Sequence, residues 1–107
     1  MKITTENIAL TEAVYYILLS LYSPLHGYGI MQNVSILSNG RVNLAAGTLY
    51  GALSSMVSKG WIEALPGEKN SRKKEYHITS VGKKIVANEI LRLEELLING
   101  KKIYKEE

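Results

Sequence analysis

Basic side chains are concentrated in one short part of this sequence. Residues 69–84 carry six lysines and arginines against a single acid, Glu75, a local charge of +5, whereas residues 1–58 are neutral. Lysine and arginine attract phosphate groups, so the cluster is typical of a surface that binds nucleic acid. A solvated charge cluster without a partner is the plainer interpretation. The basic residues are Lys69, Arg72, Lys73, Lys74, Lys83 and Lys84.

A second candidate surface lies on the helix predicted from about Ala45 to Lys59. Its apolar residues Leu49, Leu53 and Met56 recur at helical spacing and mark the buried side. The other side is small and polar and has no glutamate, whereas solvated helices are usually rich in Glu and Lys. Short side chains permit close approach to the major groove, and hydroxyls contact phosphates or base edges. This side comprises Gly47, Thr48, Gly51, Ser54, Ser55 and Ser58.

Residue types that enzymes use for catalysis are sparse. The sequence has no cysteine and no aspartate, which excludes disulfides, a thiolate nucleophile and a cysteine-based zinc site. His26 and His77 lie far apart in a turn and a strand, and Gly27-Tyr28-Gly29 lacks the last glycine of a dinucleotide fingerprint. Glu94-Glu95 fits a solvated helix face better than an acid/base pair. We therefore expect no catalytic residue, no metal and no cofactor.

The positions of these candidate residues depend on the elements that carry them. The sequence pattern predicts three helices followed by a hairpin. The first helix begins after the cap Thr11 and ends before Pro24, and the second runs from Tyr28 to Leu37. Residues 41–43 are either a short strand or an extended link. Gly60 ends the third helix.

The remaining elements are a hairpin and a long helix. Trp61–Leu65 and Lys74–Ile78 are predicted strands joined by a polar turn, and Thr79 caps a helix to Ile98 or beyond. The fold class is therefore mainly α with a small β-hairpin, the layout of a winged helix-turn-helix with one extra helix. We expect a DNA-binding domain at residues 1–78 and a C-terminal dimerisation helix at residues 79–107.

Two helices carry more apolar side chains than a small domain is expected to cover. The first helix is apolar nearly all round. The last helix has apolar residues at 4-3-4-3 spacing from Val86, a short heptad seam that either pairs with a partner chain or folds back on its own domain. We predict a homodimer. The predicted interface residues are Val14, Ile17, Leu18, Leu21, Ile90, Leu93 and Leu97.

The N-terminus shows no signal-peptide pattern, and the longest apolar run is far short of the roughly 20 residues of a membrane span. We therefore expect a cytoplasmic protein without a membrane partner.

Several segments together resemble the PadR family of transcriptional regulators, over about residues 8 to 104. They are Leu10–Leu18, His26–Ile30, Gly47–Leu53, Lys59–Ile62 and Lys74–Gly82. The single C-terminal helix is similar to the short subgroup of that family. The resemblance implies a dimeric repressor that is released by a small ligand. In some members a Trp on the last helix lines a central pore, whereas the only Trp here, Trp61, begins the hairpin. We therefore expect either no pocket at the dimer centre, with the helices packed closed, or one suited to a small phenolic or hydrophobic effector.

The sequence thus predicts a ligand-responsive homodimeric repressor that binds double-stranded DNA at a palindromic operator. Two alternatives are a winged-helix protein-interaction module without DNA binding and a small-molecule carrier that uses the dimer cavity. Tyr50, at the flank of the third helix, is expected to be half core and half phosphate contact. The predicted DNA-binding residues are Gly47, Thr48, Tyr50, Gly51, Ser54, Ser55, Lys69, Asn70, Ser71, Arg72, Lys73 and Lys74.

Overall fold

A computed structural model describes residues 9–66 and 74–104 of the chain. Within these residues the protein is mostly helical, with one small antiparallel sheet, which confirms the predicted winged helix-turn-helix layout. The elements are α1 (Glu12–Ser20), β1 (Leu25–His26), α2 (Gly27–Leu37), α3 (Ala46–Ser58), β2 (Ile62–Leu65), β3 (Glu75–Ile78) and α4 (Ser80–Ile103).

Polar side chains fix where three of the helices begin. Thr11 accepts a hydrogen bond from the backbone N–H of Val14 at α1, and Thr79 accepts one from Gly82 at α4, as the sequence predicts. At α2 the cap is His26, whose Nδ1 accepts from the Gly29 N–H at 3.1 Å. Because His26 is the cap, α2 begins at Gly27 and not at the predicted Tyr28.

The sheet has three strands in the order β1-β3-β2, one more than the predicted hairpin. Leu25 pairs with Tyr76, while Ile62 and Ile78 face each other at one end of the β2–β3 hairpin. Sequence patterning misses β1 because two residues show no alternation. The segment 41–43 forms no strand; it is a link in which the Ser38 hydroxyl accepts from the Val42 N–H at 2.9 Å.

The core joins α1, α2, α3, the sheet and the first half of α4. Among its members are Ile17, Leu18 and Leu21, which are at most 1% exposed within one protomer. Their assignment to a dimer interface is therefore wrong, because α1 is covered by its own chain and these side chains offer no surface to a partner. Val14 is only partly buried. The buried apolar set is Ile17, Leu18, Leu21, Ile30, Val34, Leu49, Leu53, Met56, Ile62, Tyr76, Ile78, Ile85 and Val86.

The two halves of α4 have different surroundings. Ile85, Val86 and Glu89 are buried against the domain. Beyond Glu89 the helix extends away from the domain. In this distal half of α4, the large apolar side chains from Ile90 through Ile103 are exposed. The predicted heptad seam therefore starts at Ile90, since Val86 belongs to the protomer core.

Candidate nucleic-acid interface

Packing of its apolar side orients α3. Leu49, Leu53 and Met56 are buried at 2% exposure or less, so the opposite side of the helix must face solvent. The structure places every predicted contact residue of this helix on the exposed side. The residues are Gly47, Thr48, Tyr50, Gly51, Ser54 and Ser55.

The two glycines of this face are not required by the chain's own packing. A Cβ built at Gly47 or Gly51 meets no described atom within 4 Å. A glycine inside a helix costs roughly 0.5–1 kcal/mol of stability relative to alanine. The fold gains nothing from these glycines in the protomer, so the open space suits a molecule that approaches the helix backbone from outside.

The start of α3 is also open to an anion. Its N-cap, Ala45, makes no side-chain capping bond, and the first turn contains no acidic residue. The first amide groups of a helix lack intrahelical acceptors and carry the positive end of the helix dipole. This end therefore presents N–H donors beside the small polar face.

The hairpin adds a positive charge to the same surface. The wing is the segment that connects β2 to β3. Lys74, at its base beside β3, is exposed and shares a groove with Ser54, so the structure brings the base of the wing next to α3. The groove is lined by Ser54, Val57, Ala64, Lys74 and Tyr76. The other predicted wing contacts, Lys69, Asn70, Ser71, Arg72 and Lys73, lie outside the described residues.

The basic cluster of the sequence is divided in space. Lys83 lies in the first turn of α4, 5.6 Å from the centre of the Tyr22 ring. Helix α4 follows the end of the β2–β3 hairpin where Ile62 pairs with Ile78. Lys74 lies beyond the opposite end, where Leu65 pairs with Glu75. Lys83 and its neighbour Lys84 are therefore not part of the surface around Lys74, although the sequence counts all of them in one run.

Sequence reasoning missed the exposed side of α2. Tyr28 is 63% exposed, and its hydroxyl accepts a hydrogen bond from the Gln32 amide at 3.3 Å. Both residues can donate to phosphate oxygens, as residues outside the recognition helix do in protein–DNA complexes. In the sequence, Tyr28 and Gln32 stand one helical turn apart in the second helix. Neither side chain is charged, so the pair gave no reason to predict a contact with DNA.

A groove of ≈ 250 Å³ lies between α1 and α4, away from the α3 face. Its floor is Glu89, which accepts bonds from the Arg92 Nε and Nη2 at 2.8 and 2.7 Å and from the Leu10 N–H at 3.3 Å. The hydrogen bonds from Arg92 hold the pKa of Glu89 below its usual value. Aromatic and apolar walls surround this ion pair. The lining is Leu10, Thr11, Glu12, Tyr15, Tyr16, Glu89, Arg92 and Leu93.

Within residues 9–66 and 74–104, no helix is long and apolar enough to cross a membrane. Nor does this part of the chain gather three or more His, Cys, Asp or Glu side chains into a group suited to a metal ion.

Comparison with solved structures finds the same fold in several bacterial regulators. A transcriptional regulator from Clostridium thermocellum is 25% identical, with a TM-score of 0.71 over 87% of this chain and 92% of that one. A PadR family regulator from Clostridium difficile is 22% identical, with a TM-score of 0.72 over 86% and 97%. Bacillus subtilis PadR, solved with operator DNA, is 23% identical, with a TM-score of 0.60 over 70% of this chain and 44% of that one.

No curated protein matches the sequence. The family model of the transcriptional regulator PadR-like family, however, matches residues 15–88, which is most of the chain. That span includes the whole helix-turn-helix and the wing, and it confirms the resemblance found in the sequence. The protein therefore belongs to the PadR-like family of transcriptional regulators, which are DNA-binding transcription factors and not enzymes.

Proposed function

We propose that this protein is a repressor that binds a palindromic operator as a homodimer, with α3 in the major groove and the wing along the DNA backbone. The observation that carries the proposal is the exposed side of α3, which is small, polar and free of acids. Gly47 and Gly51 keep the helix backbone open to close approach. Bacillus subtilis PadR, which shares the fold and was solved with operator DNA, supports DNA as the partner here.

Selection of duplexes tests the proposal. The purified protein is incubated with random duplexes and with fragments of its source genome at physiological salt, and bound DNA is sequenced. We expect enrichment of a palindrome whose half-sites lie about one helical turn, roughly 34–36 Å, or a multiple of it apart. Binding of the selected duplex should exceed binding of a scrambled duplex by at least about 1,000-fold. Equal binding of both would contradict operator recognition, and a lack of salt-dependent binding to any duplex would favour a protein-interaction module instead.

The distal half of α4 supports the homodimer. Ile90, Leu93 and Leu97 are 41%, 39% and 58% exposed in the protomer, although all three are large and apolar. Contiguous apolar surface of this kind marks a protein–protein interface. We place the dimerisation contact on this half of α4, and the helix-turn-helix and wing remain the DNA-binding part.

For the effector we propose a small phenolic or hydrophobic ligand in the groove between α1 and α4. At ≈ 250 Å³ in one protomer, this groove is smaller than the roughly 300–1,000 Å³ typical of drug-sized ligands. It has Tyr15 and Tyr16 as walls, but the distal half of α4 offers no Trp for stacking. Ring stacking adds about 0.5–1.5 kcal/mol beyond area burial.

A dye titration tests the effector class. A planar polycyclic dye should bind with a Kd weaker than ~10 µM, about one decade for each 1.4 kcal/mol of missing stacking. A simple phenol is titrated in parallel, and release of the selected duplex is followed with both. Submicromolar dye binding that displaces DNA would contradict this assignment of the ligand class.

A further inference from the structure

Tyr50 lies against the first residue of α2. A Cβ built at Gly27 would overlap the Tyr50 hydroxyl and come within 2.8 Å of its Cζ and 3.3 Å of its Cε1. Gly27 is buried, and only a residue without a side chain leaves room for the ring there. The glycine is thus explained by the tyrosine, in contrast to Gly51, which has no described neighbour within 4 Å of a built Cβ.

The Tyr50 phenol also interacts electrostatically with a tyrosine of the sheet. Burial, and then the neighbouring Tyr50 phenol, raise the pKa of Tyr76. Tyr76 is in the middle strand, opposite Leu25 of β1 and Ala64 of β2, and it is two residues from Lys74. Tyr50 therefore lies against α2, and its own helix borders β3 at the groove that Ser54 shares with Tyr76.

Neither a core role alone nor a phosphate contact alone accounts for both the packing of Tyr50 against Gly27 and its exposure. A residue that only fills the core would be buried, but Tyr50 is 48% exposed. A residue that only donates its hydroxyl to a phosphate would not require a glycine at the start of another helix. A rigid ring satisfies both, because its hydroxyl end lies against Gly27 and can set the spacing of α2 and α3, while about half of the residue stays exposed on α3.

We propose that Tyr50 is a positioning residue, whose ring against Gly27 sets α3 relative to α2 and the wing. Sequence readout requires the contacting side chains to be held within about 0.5 Å of their productive geometry, whereas non-specific phosphate binding tolerates more freedom. The ring therefore controls discrimination between duplexes more than total affinity. This proposal rests on the DNA binding proposed above.

Four variants separate positioning from direct contact. Tyr50→Phe keeps the ring without its hydroxyl, Tyr50→Leu removes the ring, Gly27→Ala displaces it, and the double variant Gly27→Ala/Tyr50→Leu gives the new methyl group the space of the missing ring. Each is titrated with the duplex selected by the unmodified protein and with a scrambled duplex of the same length. Urea unfolding of every variant is measured alongside.

We expect Tyr50→Leu and Gly27→Ala each to lower the ratio of selected to scrambled affinity by about tenfold or more, the scale of one base contact. Tyr50→Phe should recover most of that ratio. The double variant should discriminate no worse than Tyr50→Leu alone, since the two substitutions act on one contact. If Gly27→Ala does not fold, recovery of folding in the double variant carries the same information.

Two results would overturn the proposal. The first is a loss with Tyr50→Phe as large as that with Tyr50→Leu on both duplexes, which would make the hydroxyl a phosphate contact. The second is a cost of Gly27→Ala that is undiminished when the ring is absent. Failure of the unmodified protein to prefer any selected duplex would instead refute operator binding, while the unfolding data still report whether Gly27 and Tyr50 are coupled.

Discussion

Helices α3 and α4 each expose one side to solvent, and these two sides are opposite in chemistry. The exposed side of α3 carries glycine, threonine and serine, and its first turn contains no acid. The distal half of α4 exposes leucine and isoleucine, with Leu97 at 58%. A polar, glycine-containing side suits a hydrated, anionic groove, whereas an apolar side gains free energy only by leaving water. The contrast is the basis for the two partners proposed above, DNA at α3 and a second copy of the chain at α4.

A charge placed on the apolar side should give the largest effect. Leu93→Lys would bury an unpaired ammonium in the proposed dimer contact, at a cost of several kcal/mol, on the order of the penalty for an uncompensated charge. We expect sedimentation to show monomers and operator binding to collapse. Val81→Lys, at a 50% exposed apolar position in the first turn of the same helix, is the matched control and should remain dimeric. If the unmodified protein is itself monomeric at micromolar concentration, the proposed dimer contact on α4 is contradicted.

Alanine substitution of one glycine in each helix compares the two sides directly. Gly51 in α3 and Gly100 in α4 both have empty space at the Cβ position. Alanine at either should raise the free energy of unfolding by roughly 0.5–1 kcal/mol. Only Gly51→Ala should weaken binding to the selected duplex, by about 1–3 kcal/mol, because its methyl group meets the bases or sugars of the groove. Equal DNA binding by both variants would mean that the α3 side does not approach DNA closely.

Hydroxyls on α3 should affect which sequence is bound. Thr48→Ala and Ser54→Ala should each cost about 1–3 kcal/mol on the selected duplex and leave scrambled DNA nearly unaffected. Competition titrations with both duplexes measure the difference. Parallel losses on the two duplexes would reassign these residues to phosphate contacts.

The smallest effect concerns the wing. Replacement of Lys73 and Lys74 by glutamine should lower affinity for all duplexes and flatten the slope of log K against log salt by about one to two units. Lys59→Gln and Lys83→Gln are controls at the other end of the hairpin, where these lysines lie over Trp61 and Tyr22. An unchanged slope in the wing variant, or an equal change in the controls, would contradict the wing assignment.

Much of this organisation is predictable from residue patterns. Helical spacing of Leu49, Leu53 and Met56 identifies the buried side of α3 and hence the exposed one, and Thr11 and Thr79 identify two helix starts. The signals are local, since a cap or a stripe involves residues within two or three turns of one another. Strand β1 was missed because its partner, Tyr76, is brought to it by the fold. The cap at His26 is local, but histidine is not among the usual N-cap residues, so it was not singled out.

The α1 assignment failed for a related reason. An apolar helix in a short chain indicates that something must cover it, but periodicity does not say what. Here the rest of the same protomer covers Ile17, Leu18 and Leu21, whereas the distal half of α4 leaves large apolar side chains exposed. The position of lysines in the basic run is likewise decided only by the fold, because β3 places Lys74 and Lys83 at opposite ends of the hairpin.

By itself the sequence determined the order of the helices and of the β2–β3 hairpin, the buried and polar sides of α3, and the family, since all three depend on residue types at short separations. Only the tertiary structure decided which surfaces stay open and which residues meet across the chain. Tyr50 and Gly27 are 23 positions apart, and nothing in either segment predicts that a phenol fills the space above that glycine. Such contacts arise from packing among three elements, where the space left by one side chain fixes what another position can hold.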